Sequence, residues 1–344
     1  MGKILIISND RPNSGWGTYN TNLKEALGKN AEFYYLFGPT SGEGTKDFPT
    51  VIPNPSTRTE LMARVFPKWY FRDLARKIRM ERRDGLVVHY SYNLLPIITY
   101  GSSDIVTIHD TIFAGKYRER SLVPNMYSKL LLYSFLKFSN IISPSKHIKN
   151  ELQGMGAEGE IEAIYPPVPN SFFRIQQAQN LRKKLHLPED KILILSLGNN
   201  KPWKNLEMVA KVMDRLGERY QLIRVGPGVG NSITFSGVNA TVLNELYNAC
   251  DLLLFLSLEE GFGYPIVEAM STGLAPVVSD IEVFHEIGAD AVEYVNPLDL
   301  DSIVEGVMNA LNNRDHLQTL AKERIKHFSM NIFREKLLSY YARF

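Results

Sequence analysis

Short, unbroken runs of aliphatic residues alternate with longer stretches of helical period along almost the whole chain. The apolar runs predict strands at 3–8, 86–91, 105–110, 141–145 and 161–165. A second series falls at 192–198, 222–226, 233–236, 252–257, 276–279 and 292–295. A continuous apolar run is what a strand covered on both faces requires, whereas a strand with one wet face alternates. Helical periodicity fills the intervals, most clearly at 18–27, 205–216, 300–311 and 316–327. Strands and helices in strict alternation predict an α/β protein with doubly wound parallel sheets. Eleven strands are too many for one such sheet of ordinary size, so two are expected. The most proline-dense stretch, Tyr165-Pro166-Pro167-Val168-Pro169-Asn170, is the natural connection between them, because proline cannot donate to a ladder and stiffens a linker. The expected organisation is two Rossmann-like domains, 1–167 and 168–328, facing a central cleft. A last helix at 329–344 is expected to pack back toward the first domain. Ligands of such sheets sit at the carboxyl ends of the strands.

Charge changes this picture little overall and considerably in one place. The 344 residues carry 39 Lys and Arg against 37 Asp and Glu, a net charge of +2, which excludes a chain that holds nucleic acid through bulk positive charge. One cysteine, Cys250, excludes a disulfide scaffold and a multi-cysteine metal site. No apolar stretch approaches the length needed to span a bilayer, and the N-terminus lacks the design of a signal peptide, so a cytoplasmic protein is expected. Residues 1–167 nevertheless carry 21 basic against 16 acidic residues, and the rest 18 against 21. Nine of the basic residues fall within 57–84, among them Arg76, Arg79, Arg82 and Arg83, interleaved with Phe66, Trp69, Tyr70 and Phe71. Two readings stand: a solvated helix with its apolar side in the core, or a surface for anionic lipid headgroups or a lipid-linked pyrophosphate sugar.

The densest chemistry follows the strand at 252–257, in Glu259-Glu260-Gly261-Phe262-Gly263-Tyr264-Pro265-Ile266-Val267-Glu268. Gly261 and Gly263 let backbone amides approach a ligand with no Cβ in the way. Pro265 suits the first helical turn, and Gly273 suits a left-handed stop. A helix that starts there directs its positive end at a ligand and suits a phosphate. Glu260 in the turn and Glu268 in the first helical turn would place two carboxylates on one rim, where they accept hydrogen bonds from a polyol such as ribose or hexose. An ordinary strand–helix connection with two solvated glutamates is the plain alternative.

The Glu-x7-Glu spacing of Glu260 and Glu268 around Gly-Phe-Gly-Tyr-Pro resembles the signature of the family-4 retaining glycosyltransferases of GT-B fold. The resemblance continues through Ala269-Met270-Ser271-Thr272-Gly273 and His285-Glu286-Ile287. It includes Gly198-Asn199-Asn200-Lys201-Pro202-Trp203-Lys204-Asn205-Leu206, Val106-Thr107-Ile108-His109-Asp110 and the early Gly15-Trp16-Gly17. It implies a transferase that moves a sugar from a nucleoside diphosphate sugar, of UDP or GDP type, to an acceptor hydroxyl with retention of configuration. Glu268 would bind the ribose, Glu260 the transferred sugar, and the backbone of Phe262, Gly263 and Tyr264 the sugar and diphosphate. Lys204 would stabilise the leaving diphosphate, as a cation there must when charge develops. No metal ion and no other cofactor is expected. Asn199 stands where the family usually carries an arginine, so either Lys201 substitutes or the phosphate depends mostly on Lys204.

His109, at the end of an N-terminal strand, would lie beside the transferred sugar, and Gly15 and Gly17 would form a glycine loop near the diphosphate or acceptor. His89 also ends a strand and is expected on the acceptor side, with Arg76 and Arg79. The acceptor is expected to be a saccharide or a lipid-linked molecule, with peripheral contact at the inner face of an anionic membrane. Base contacts are expected near 225–227 and 236–238. Gly226-Pro227-Gly228-Val229-Gly230 superficially matches a dinucleotide fingerprint but has no helical pattern after it, which argues against NAD. A nucleotide-sugar 2-epimerase, a phosphorylase-like enzyme or a non-catalytic sugar-nucleotide sensor are the alternatives on the same fold.

Overall fold

The structure, a computed structural model, describes residues 3–9, 15–37, 50–52, 57–92, 95–112, 122–176 and 178–344. The chain divides into two compact units, one formed by 1–166 with 330–344 and the other by 167–329.

The first unit contains β1 (Ile4–Ser8), β2 (Ala31–Phe37), β3 (Thr50–Ile52), β4 (Val87–Tyr90), β5 (Ile105–Thr107), β6 (Asn140–Ser143) and β7 (Glu160–Ala163). They pair in the order β3-β2-β1-β4-β5-β6-β7, every ladder parallel. β2 and β3 were not expected. β2 reads Ala-Glu-Phe-Tyr-Tyr-Leu-Phe and holds no β-branched residue, so its strand character comes from aromatic rings alone. Successive side chains of a strand point to opposite faces, and β1 shows the consequence. Leu5 and Ile7 join one buried cluster with Val88, Val106 and Ile141, while Ile4 and Ile6 join another with Val87, Ile105 and Ile142.

That second face is covered by the helix Gly15–Leu27 and by the chain's last helix, Met330–Tyr341. Phe333, Leu337, Tyr340 and Tyr341 recur at helical spacing and are all buried against Tyr19, Leu23, Ile4 and Ile6. Arg334 donates through Nε to the Ala26 carbonyl and through Nη2 to the Glu25 carbonyl, each at 3.2 Å, satisfying acceptors at the end of the first helix.

The second unit contains β8 (Ile192–Leu197), β9 (Tyr220–Val225), β10 (Ile233–Phe235), β11 (Leu252–Phe255), β12 (Ala275–Ser279) and β13 (Glu293–Val295), ordered β10-β9-β8-β11-β12-β13 and again all parallel. Ile194, Leu252, Leu254 and Val277 bury one face under the helices Leu206–Leu216 and Leu300–Asn312. The latter helix lies so close to the sheet that a Cβ on Gly306 would sit 2.2 Å from Val295 Cγ1.

Leu337, with no exposed surface, should be one of the anchors of the first unit. Leu337→Ala should destabilise that unit by about 2–5 kcal/mol, the usual loss for a fully buried leucine, as measured by urea denaturation. A loss under about 1 kcal/mol would show that the last helix is not part of that core.

Candidate active site

In an open parallel sheet the loops diverge where the strand order reverses, and ligands settle at the carboxyl ends of the two strands that flank this point. In the second unit these strands are β8 and β11. The loop after β8 begins at Gly198, whose φ of +125° only glycine adopts without strain. The loop after β9 closes against it, for a Cβ on Gly226 would lie 2.2 Å from the Gly198 carbonyl oxygen. Arg224 Nη2 donates to that same oxygen at 2.5 Å. The chain then makes a 3-10 turn at Pro202–Lys204, closed by the Lys204 amide on the Lys201 carbonyl at 2.9 Å. Asn205 follows in the left-handed region, φ +54°, with its Nδ2 donating to the Pro297 carbonyl at 2.8 Å. Asparagine tolerates this conformation better than most residues, and helix Leu206–Leu216 starts from it.

The loop after β11 is tied to this turn by the Leu258 amide, which donates to the Trp203 carbonyl at 2.7 Å. It ends at Gly263, φ +96°, from which the helix Tyr264–Thr272 runs, with Pro265 in its first turn and Gly273 at φ +77° as its stop. The two loops meet in an ion pair between Lys204 Nζ and Glu260 Oε1, both side chains largely enclosed at 16% and 15% exposure. Lys204 Nζ also stands 5.3 Å from the centre of the Phe255 ring.

Glu268 lies in the second turn of its helix, not the first, and is buried. Its Oε2 accepts a hydrogen bond from the Tyr247 hydroxyl at 2.6 Å. Removal from water disfavours the charged carboxylate and raises its pKa to about 7, against the opposing pull of the Tyr247 bond. Glu260, by contrast, has a cation directly against it. The two carboxylates of the Glu-x7-Glu spacing therefore have different partners and different surroundings.

Of the residues singled out by sequence, Lys204, Glu260, Phe262, Gly263, Tyr264 and Glu268 come together on these two adjoining loops and the helix between Gly263 and Gly273. Phe262 is buried, edge-on to the Tyr264 ring at 5.3 Å. Asn199 is exposed, and its Oδ1 accepts the Lys201 amide at 3.3 Å. The Lys201 ammonium stands 5.9 Å from the centre of the Trp203 ring. Sequence reasoning missed two residues. Tyr247 carries no signal beyond its helical spacing. Arg224 is a lone cation inside the apolar run of β9 and fully buried, which was legible as an oddity. Burial lowers its pKa to about 10.

The first unit holds the remaining candidates. Gly15 and Gly17 do not form a loop; they occupy the first turn of helix Gly15–Leu27. Residues 10–14, before them, lie outside the described residues. His109 follows β5, donates through Nε2 to the Ser91 carbonyl at 2.9 Å, and meets the Tyr19 ring edge-on at 4.6 Å. Desolvation lowers its pKa to about 4, so it is neutral at physiological pH. His89 requires correction. It has no exposed surface, one ring nitrogen bonds Tyr341 Oη at 2.5 Å and the other Thr107 Oγ1 at 2.7 Å, and an acceptor cannot reach it. In the basic stretch Arg76, Arg79 and Arg83 are exposed, as are Trp69 at 72% and Phe66 at 53%. Phe71, however, is in the core, and Arg82 turns inward to the buried Asp104 and to Thr99 Oγ1. Among the described residues, no group of three or more His, Cys, Asp and Glu side chains is placed to hold a metal ion. Among them, too, no helix is long and apolar enough to cross a membrane.

Comparison with known proteins agrees with this geometry. Residues 177–327 match the family model described as glycosyl transferases group 1, and residues 13–172 match that of glycosyltransferase family 4. The O-antigen chain mannosyltransferase RfbU of Salmonella typhimurium is 26% identical over 280 residues, 75% of each chain. Sucrose-phosphate synthase from Thermosynechococcus elongatus superposes with a TM-score of 0.81 over 100% of this chain and 99% of its own, at 17% identity. Anabaena Alr3699/HepE, solved in complex with UDP and glucose, superposes with a TM-score of 0.74 over the whole of both chains, at 15% identity. The two family models abut and together span nearly all of the chain, and the fold is theirs: this protein belongs to the group 1 glycosyltransferases of GT-B fold.

Proposed function

We propose that this glycosyltransferase takes its sugar from a nucleoside diphosphate sugar and transfers it, with retention and without a metal ion, to a hydroxyl of a saccharide or lipid-linked saccharide. The observation that carries the reading is the grouping of Lys204, Glu260 and Glu268 at the carboxyl ends of β8 and β11, beside a glycine-led helix start. Lys204 is the cation for the diphosphate, whose charge grows as the glycosidic bond breaks. Its present partner is Glu260, so donor binding exchanges one anion for another at Nζ and releases Glu260 to accept hydrogen bonds from the sugar hydroxyls. Glu268, held by Tyr247 at Oε2, takes the ribose hydroxyls. Support for a saccharide acceptor comes from RfbU, named for the O-antigen chain, and support for a nucleotide donor from the UDP complex of HepE. The reading as transferase, rather than epimerase or sensor, rests on the family match. The test is a transfer assay with UDP- and GDP-hexoses and a lipid-linked saccharide acceptor, the product anomer read by NMR. An inverted product, or no transfer from any nucleotide sugar, would overturn it.

Three outcomes follow from the geometry. Lys204→Ala should lower turnover about 100-fold or more with a smaller loss of donor affinity, because the charge it meets is largest in the transition state. Glu268→Gln keeps the buried volume but removes the charged acceptor, and should weaken UDP or GDP binding about 10-fold or more by calorimetry. Ribose hydroxyls favour the ionised carboxylate, and its pKa before binding is about 7. Nucleotide affinity should therefore fall up to about tenfold from pH 8 to pH 6, with proton release on binding, and Glu268→Gln should abolish this slope. A pH-independent wild type would remove Glu268 from the ribose site.

We also propose that the exposed Phe66, Trp69, Arg76, Arg79 and Arg83 rest on an anionic lipid surface at the cytoplasmic face, where a lipid-linked acceptor would be met. Changing the three arginines to serine should weaken co-sedimentation with anionic vesicles roughly 100-fold at low salt, while neutral vesicles bind neither form. Equal sedimentation of both forms would leave this stretch an ordinary solvated surface.

A further inference from the structure

The helix Tyr264–Thr272 runs from Gly263, next to the Lys204–Glu260 pair, to Gly273 about 15 Å away at a rise of about 1.5 Å per residue. At the Gly273 end lies a cavity of about 520 Å³. Its walls include Arg174, Arg314, Lys322, Asn248, Gln318 and Tyr247. Arg314, Gln318 and Lys322 are spaced four apart on the helix Arg314–Arg324 and so share one of its faces. Arg174 reaches them from another segment, packed over Gly273, where a Cβ would be 3.2 Å from its Nη1, and donating to Gln318 Oε1 at 3.2 Å.

Among the described residues, no carboxylate lines this cavity. The nearest one paired with its cations is Asp251, whose Oδ1 is 3.6 Å from Arg314 Nη1. Asp251 is already satisfied at Oδ2 by Arg182 Nη2 and by the Leu193 amide, each at 2.7 Å, so the Arg314 charge is not required to compensate it. Three cations gathered on one concavity repel one another unless an anion enters. Two guanidinium forks and an ammonium match the oxygens of a tetrahedral dianion. The volume exceeds that of inorganic phosphate and falls in the range of small-molecule sites. Asn248 braces the wall, its Oδ1 accepting the Ile175 amide and its Nδ2 donating to the Phe173 and Asn244 carbonyls, and Gln318 Nε2 is a donor suited to a hydroxyl on the rest of such a molecule.

We infer that this cavity is a second anion site of the C-terminal unit, which binds a small phosphate monoester such as a sugar phosphate, separately from the nucleotide. Tyr247 belongs to both places, lining this cavity and placing its hydroxyl on Glu268. The test is calorimetric titration of the whole protein with fructose 6-phosphate, with fructose as the uncharged control. Wild type should bind the phosphate ester and not fructose. Lys322→Gln alone, at an exposed position, should weaken binding severalfold, and Arg174→Gln with Arg314→Gln and Lys322→Gln should weaken it at least tenfold. Glu268→Gln should leave it unchanged, which separates this site from the proposed ribose contact. Undiminished binding by the triple variant, equal binding of fructose, or competitive displacement of the ester by UDP and GDP would overturn the inference.

Discussion

Because every ladder among the described strands is parallel, each strand must hand the chain to a crossover before the next can begin, and all the strands of a sheet end on the same side. The location of the chemistry depends on this. In the C-terminal unit the order reverses between β8 and β11, so the loops leaving these two strands cannot cover each other's mouths. Gly198, Lys204, Glu260 and Gly263 all stand on those two loops. The remaining features serve to hold them: Arg224 on the Gly198 carbonyl, Asn205 on Pro297, and the Leu258 amide on Trp203. The crossovers also demand cover on both faces of each sheet, which is why the strands are apolar throughout rather than alternating.

Within that frame, one loop and the helix that follows it carry two carboxylates of unlike character. Glu260 has a cation against it, and Glu268 is buried with a phenol on its Oε2. The raised pKa of Glu268 has an energetic sign. Its folded-state value, about 7, exceeds the ordinary 4.5, so the folded protein binds the proton more tightly than the unfolded chain. The contribution of Glu268 to stability is thus fullest below pH 4.5 and is lost as pH rises toward 7. A residue that disfavours the fold at neutral pH, yet sits next to a glycine-led helix start, fits a ligand contact better than a structural brace.

The sequence displayed the fold class because a doubly covered strand has a plain signature, and it displayed the loop after β11 because glycine, proline and acidic residues there have few other uses. It concealed what depends on contacts between distant segments. β2 was hidden because rings replaced β-branched residues. His89 looked like a strand-end ligand, but Thr107 and Tyr341, 18 and 252 residues away, turn it into a core side chain. The basic stretch read as one surface, whereas Lys77 is drawn onto Glu32 and Arg82 onto Asp104, so only part of its charge faces water. The αL stop at Gly273 was legible; the cationic cavity beyond it, assembled from 174, 314 and 322, was not.

The return of the last helix to the first unit has a consequence during synthesis. Phe333, Leu337, Tyr340 and Tyr341 are made after the whole of the second unit, yet they cover strands made before it. On a ribosome, residues 167–329 emerge between the two parts, an interval of roughly 10–30 s at about 5–20 residues per second. For that time the nascent sheet of β1–β7 has one apolar flank covered only in part, by the helix Gly15–Leu27. The first domain to begin is therefore the last to close. Loss of residues 330–344 would leave the unit 167–329 whole and the other unit open to chaperones and proteases.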